Sequence, residues 1–170
     1  PPGTGKSTVT AKSISILASH GMKIAISSNS HSVINNLLRK VKNNLNFQDI
    51  KIDIVKSENR KKPDEELKKA SIEIFSSKKV SENIDRINIL GGTVWALSSE
   101  DLQDKFDVLV IDEAGQMSLA NLMIISRCAK SILLVGDQQQ LSQPSRAEHL
   151  YDAGLSSLEY WLSKKAIVPE

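Results

Sequence analysis

The chain opens on Pro1-Pro2-Gly3-Thr4-Gly5-Lys6-Ser7-Thr8, the greater part of a phosphate-binding loop, and such a loop dictates a local fold. The pattern is a glycine, four residues, then Gly-Lys-Ser/Thr. Its glycines let backbone amides approach a polyphosphate, and the helix that follows offers unpaired N–H groups and the positive end of its dipole. A strand must lead in and a helix must lead out. Pro2, Gly3, Thr4 and Gly5 form the cradle, and Lys6 would reach the terminal phosphates. The Ser7 hydroxyl suits a magnesium ion, and Thr8 extends the helix start toward an inner phosphate. The first glycine of the pattern would fall before Pro1. The sequence therefore reads as part of a longer chain, with the leading strand upstream.

The rest of the chain alternates strand and helix patterns. Ser7 to about His20 reads as a helix with Val9, Ser13, Ile16 and Leu17 on one face, and Met22 to Ser28 as a buried strand. Val33, Ile34, Leu37, Leu38 and Val41 recur at helical spacing. A strand is expected around Thr93 to Leu97, and FDVLVIDEA is a nearly continuous apolar run of the kind a parallel strand shows when both its faces are covered. Leu119 to Ala129 suits a helix, SILLVGD another buried strand, and GLSSLEYWL a short final helix. Strands alternating with helices imply an α/β fold with a parallel, doubly wound sheet.

Composition narrows the field by exclusion. A length of 170 residues suits one domain, and charged and hydrophobic shares of 25% and 40% are ordinary for a globular protein. A formal net charge of +2 does not announce a nucleic-acid binder, so any such contact must come from a local surface. Cys128, the single cysteine, excludes an internal disulfide and reads as a small buried residue. No apolar run reaches the roughly 18 residues that a membrane span needs.

The second chemical signal is VLVIDEAGQ. Asp112 follows four apolar residues and so emerges where a buried strand ends, beside the phosphates, where an acid can hold magnesium through water. Glu113, next to it, can orient and deprotonate an attacking water. The chemistry implied is hydrolysis of a nucleoside triphosphate.

PPGTGKST, DEAGQ and GDQQQLSQP together resemble the early motifs of superfamily 1 helicases, in the up-frameshift-like subclass B. The resemblance implies a P-loop NTPase fold: a RecA-like parallel sheet with helices on both faces, a first motor domain that binds ATP and Mg2+. By it, Gln140 would sense the terminal phosphate, while Gln116 and Asp137 would belong to the nucleotide site. SSNSHSVINNLL and GGTVWALS resemble the segments of these helicases that meet single-stranded DNA or RNA, which points to Ser28, Asn29 and Thr93. Small hydroxyl and amide side chains there suit phosphate contacts. Trp95 reads as core and less as a platform for bases. The subclass implies 5′ to 3′ movement, an intracellular protein (cytoplasmic, or nuclear in a eukaryote), and a second RecA-like domain supplying arginines to the terminal phosphate.

The resemblance fails between Phe47 and Asn88, a stretch that reads as a small inserted subdomain. Its basic residues Lys56, Arg60, Lys61, Lys62, Lys68 and Lys69 are interspersed with acids and read as a solvated surface. Residues from about 150 onward resemble the lead into the second motor domain. Two other classes stay open: a P-loop ATPase that remodels protein, and a nucleotide-dependent clamp that binds nucleic acid without unwinding it.

Overall fold

The computed structural model describes residues 5–45, 52–59, 64–137 and 155–163. The expectations placed on Pro2, Gly3, Thr4, Gln140 and the cluster Arg60, Lys61, Lys62 lie outside the described residues. Six strands form one sheet: β1 (Ile24–Ser27), β2 (Ile54–Ser57), β3 (Glu73–Phe75), β4 (Ile89–Gly91), β5 (Phe106–Asp112) and β6 (Ala129–Val135). They lie in the order β3-β2-β4-β1-β5-β6, and every pair is parallel. The helices are α1 (Lys6–Ser19), α2 (His31–Leu45), α3 (Glu65–Lys69), α4 (Ser77–Glu82), α5 (Val94–Leu97), α6 (Leu119–Ser126) and α7 (Ser157–Ser163). This is the doubly wound α/β, RecA-like arrangement expected from the sequence.

Strand side chains alternate between two cores. Ile24, Ile26, Ile54, Ile89, Val108 and Val110 face α1 and α2, where Ile14, Leu37, Leu38 and Val41 meet them. Ala25, Val55, Leu90, Leu109 and Ile111 face the other way, against Leu97, Leu122 and Ile125. Each fully buried aliphatic side chain contributes about 1.5–3 kcal/mol relative to exposure, so the central strands hold the sheet. Within the stretch 47–88 the described residues supply β2, α3, β3 and α4, and both strands join this one sheet.

Five expectations change. On α1 the buried face is Thr10, Ala11, Ile14, Ser15 and Ala18, while Val9 and Ile16 are 65% and 54% exposed. Small residues win because they let α1 approach the sheet and α2 closely. Their hydroxyls are satisfied by the helix itself, Thr10 donating to Lys6 O at 2.9 Å and Ser15 to Ala11 O at 2.8 Å. The strand expected at Thr93 to Leu97 lies earlier, at β4, and the apolar run is the helix α5. A four-residue apolar run carries too little periodicity to separate strand from helix. Trp95, on that helix, is 88% exposed and not core.

The remaining two changes concern burial in the strands. β6 is the last strand of the sheet among the described residues, so Ile132 and Leu133, on opposite faces, are both exposed. Lys56, expected on a solvated surface, is fully buried. It occupies the inward position of a period-two run with Ile52 and Ile54, a signal that its charge conceals.

The amino-terminal edge of the sheet carries ion pairs. Lys130 Nζ donates to Asp107 Oδ1 at 2.8 Å, and Arg86 pairs with Glu73 and Asp53. Such exposed pairs contribute about 0–1 kcal/mol each. The carboxyl edge is where the candidate site forms.

At Gly91 the helix α2 passes very close to β4. A Cβ there would lie 2.6 Å from Leu38 Cδ1 and 3.0 Å from Ile34 Cγ2, and both side chains are fully buried. Gly91→Ala is expected to destabilise the fold by about 1–3 kcal/mol, read as a lower urea midpoint with an unchanged slope.

Candidate nucleotide-binding site

The site begins at Gly5, which caps α1 with φ 81° and ψ 7°. That left-handed conformation disfavours any side chain, so the glycine of the Gly-Lys-Ser motif is required by the backbone. Gly5 O accepts from Thr8 N at 2.9 Å and from Val9 N at 3.0 Å, which closes the first turn and aims the helix start at the cavity. No carboxylate occupies that first turn, leaving its N–H groups to an external anion.

From the first turn of α1, Lys6 Nζ donates to Asp137 Oδ2 at 2.9 Å, just beyond the end of β6. β5 delivers Asp112 to the same edge as its last residue. Glu113 follows with φ 57°, a left-handed conformation unusual for a residue with a side chain. The kink starts a 3-10 turn (Ala114–Gln116) at once and leaves Glu113 beside the cavity. Such a conformation costs of order 1–3 kcal/mol, which the packing of Ala114 and Met117 beneath it offsets.

Lys6, Ser7, Thr8, Asp112, Glu113 and Asp137 line one cavity of about 670 Å³. The sequence-predicted nucleotide residues that the structure describes therefore converge, with one exception. Gln116 lies in the turn after Glu113 and does not line the cavity; its backbone carbonyl accepts from the Asn29 side-chain amide. Sequence reasoning missed the contribution of α2, which adds Ser32, Asn36, Arg39 and Lys40. The signal was present: these residues lie off the apolar stripe of Ile34, Leu37, Leu38 and Val41, but a polar helix face reads as solvent-facing.

Two cavity-lining lysines and an arginine face three buried or half-buried acids, Asp112, Glu113 and Asp137. Burial pushes the Asp112 carboxyl above its ordinary range, opposed by the Glu113 N–H donating to Oδ1 at 3.1 Å and by the charges of Lys40 and Lys6. Glu113 is likewise raised, first by burial and then by the neighbouring Asp112 charge. Ser7 and Asp112 present a hydroxyl and a carboxylate to the same cavity. Hard oxygen donors in so small a number fit Mg2+, which keeps several waters and takes substrate phosphates as ligands. Among the described residues no group of three or more His, Cys, Asp or Glu side chains could hold a metal unaided.

The three residues pointed to as nucleic-acid contacts separate. Ser28 is buried, and its hydroxyl has no hydrogen-bond partner among the described residues. Asn29 spends its amide on the turn after Glu113. Thr93 caps α5 without a side-chain capping bond and lines a second, smaller cavity. Cys128 is buried, and burial pushes its thiol to about 12, so it is an inert core residue. No described helix is long and apolar enough to cross a membrane.

The sequence model of the AAA domain family matches residues 56–143, just over half of the chain. The chain belongs to the AAA domain family. It is similar to the DNA replication ATP-dependent helicase/nuclease DNA2 of Saccharomyces cerevisiae, 29% identical over 150 residues, which covers 82% of this chain and 9% of that protein. The DNA replication ATP-dependent helicase/nuclease JHS1 of Arabidopsis thaliana is 32% identical over 143 residues, covering 82% of this chain and 10% of the relative. For DNA2 of Gallus gallus the identity is 24% over 163 residues, 91% of this chain and 16% of the relative. This AAA domain chain thus spans a small part of the length of the relatives it matches. These matches support the resemblance to superfamily 1 helicases carried by the motifs.

Lys6 is the cavity cation nearest the helix start, and its charge is unmatched in strength by a neutral side chain. Lys6→Ala is expected to weaken nucleotide binding about 10- to 100-fold, measured by titration with a fluorescent nucleoside triphosphate, with the urea midpoint little changed.

Proposed function

We propose that the chain is the first motor domain of an ATP-dependent nucleic-acid helicase, in which ATP hydrolysis drives movement along DNA or RNA. The observation that carries this reading is the convergence of Lys6, Ser7, Asp112, Glu113 and Asp137 on one cavity at the carboxyl edge of a parallel sheet. Open α/β sheets bind their ligands at that edge. The relatives' names supply the helicase part of the reading, together with the Gly136-Asp137-x-x-Gln140-Leu141 segment, which a protein-remodelling ATPase would not need. Movement from 5′ to 3′, and a second RecA-like domain completing the site with arginines, rest on the family resemblance.

In this mechanism the amides at the start of α1 and the Lys6 ammonium receive the triphosphate. Asp137 holds Lys6 extended toward the cavity in the meantime. Ser7 and Asp112 would hold Mg2+, the latter through water, and the ion would neutralise charge developing on the transferred phosphoryl group. Glu113 accepts the proton of the attacking water. Its partly buried carboxylate is a stronger base than a solvated one would be. Arg39 and Lys40 add positive charge from the α2 side.

Glu113→Gln in the full-length protein should keep nucleotide affinity and lower nucleic-acid-stimulated turnover by about 10²- to 10⁴-fold. Wild-type ATPase activity that no DNA or RNA stimulates would turn the reading toward protein remodelling. Stimulated turnover without strand displacement would leave a clamp.

A further inference from the structure

The carboxyl edge of the sheet holds a second cavity, about 330 Å³, lined by His31, Glu58, Asn59, Ser77, Thr93 and Trp95 among others. It is bounded by the end of β2, the start of α4 and the loop that joins β4 to α5. Lys56, outside the lining, joins the lining residues His31 and Glu58 in one polar cluster. The fully buried Lys56 places Nζ 3.2 Å from His31 Nδ1 and donates to Ser57 O at 3.1 Å. The same His31 nitrogen lies 3.3 Å from Glu58 Oε1, and the Glu58 side chain is only 5% exposed. Its rim is Trp95, which offers an indole almost wholly to solvent.

We infer that this cavity receives one unstacked nucleobase of a single strand, with Trp95 as the stacking surface. The inference rests on the nucleic-acid motor reading above and names the part of the chain that would hold a base. A volume of about 330 Å³ lies at the low end of small-ligand pockets, room for one flat ring. The chemistry of the walls selects a base over a phosphate. The described lining residues include no Lys or Arg to hold a phosphate, whereas the Thr93 hydroxyl and the His31 ring can hydrogen-bond a base edge. A single exposed indole supplies a π-face that any base can cover.

Position strengthens the assignment. His31 lines this cavity and Ser32, the next residue, lines the nucleotide cavity, so the first turn of α2 stands between the two. A shift of that turn on nucleotide binding would be felt at the base. Thr93, the residue on which the strand-contact resemblance falls, is in the cavity, whereas Ser28 and Asn29 are not.

The test uses the full-length protein with Trp161→Phe, which makes Trp95 the only tryptophan of this segment, and a labelled oligothymidylate or oligouridylate whose anisotropy reports binding. Binding is expected to quench the Trp95 emission, and an oligonucleotide of abasic sites should bind without that quenching. Trp95→Ala should weaken strand affinity about 5- to 150-fold, and Trp95→Phe should retain most of it. The dependence on salt should keep its slope, because no phosphate contact is lost. Trp95 is exposed, so its replacement leaves the fold and nucleotide affinity intact. Wild-type affinity in Trp95→Ala, or saturation without quenching, overturns the base pocket and leaves the motor reading standing. Failure of the wild type to bind any strand overturns the motor reading and the pocket with it.

Discussion

Parallel pairing of β1 with β5 is the constraint on which the rest of the structure depends. The register runs from Ile24 opposite Val108 to Ser27 opposite Ile111, with both strands buried on both faces. Because every strand runs the same way, every following loop emerges at one edge. Asp112 arrives there at the end of β5 and Asp137 just past the end of β6, one strand over, in register through Asp112 opposite Val135. An antiparallel neighbour would send one of these acids to the far side of the domain. The core therefore sets the separation of the site's carboxylates, and a slip of one residue would turn the set over to the other face.

Helices complete the arrangement from above. α1 presents its first turn to the cavity, and α2 lies against it through Ser15, whose hydroxyl also reaches Val41 O at 3.4 Å. The two helices thereby bring Lys6, Arg39 and Lys40 to face Asp112 and Glu113. In the low dielectric of such a cleft these charges act on one another strongly, and a polyanion would enter a region already organised for it. The first turn of α2 belongs to both cavities, which gives the edge a single mechanical element in contact with the two. Hydrogen bonding of Asn29 to the turn after Glu113 adds a second link between the β1 loop and Glu113.

How much of this was legible depended on the range of the signal. Gly5-Lys6-Ser7 at the start of α1, Asp112 and Glu113 at the end of β5 and the stripe of Ile34, Leu37, Leu38 and Val41 are local patterns, and each lies where its spacing placed it. The buried face of α1 was misread because packing there favours Ala11, Ser15 and Ala18, whose size matters more than their hydrophobicity. Trp95 was misread for the converse reason, since its hydrophobicity suggested a core position that a four-residue helix after two glycines does not supply. Lys56 was hidden because a charge in a strand looks like a surface residue until His31 and Glu58 are seen around it.

The amino-acid sequence by itself determined the class of the fold and the chemistry of the nucleotide site. Both are written in short-range patterns: apolar runs of strand length, helical spacing, and a glycine-rich turn whose backbone needs are absolute. Only the tertiary structure decided which face of each helix is buried, which cations of α2 join the cavity, and that His31, Glu58 and Trp95 enclose a second one. Those relations join residues far apart in the chain. They follow from the crossover order β2-β4-β1-β5, which no local spacing reports.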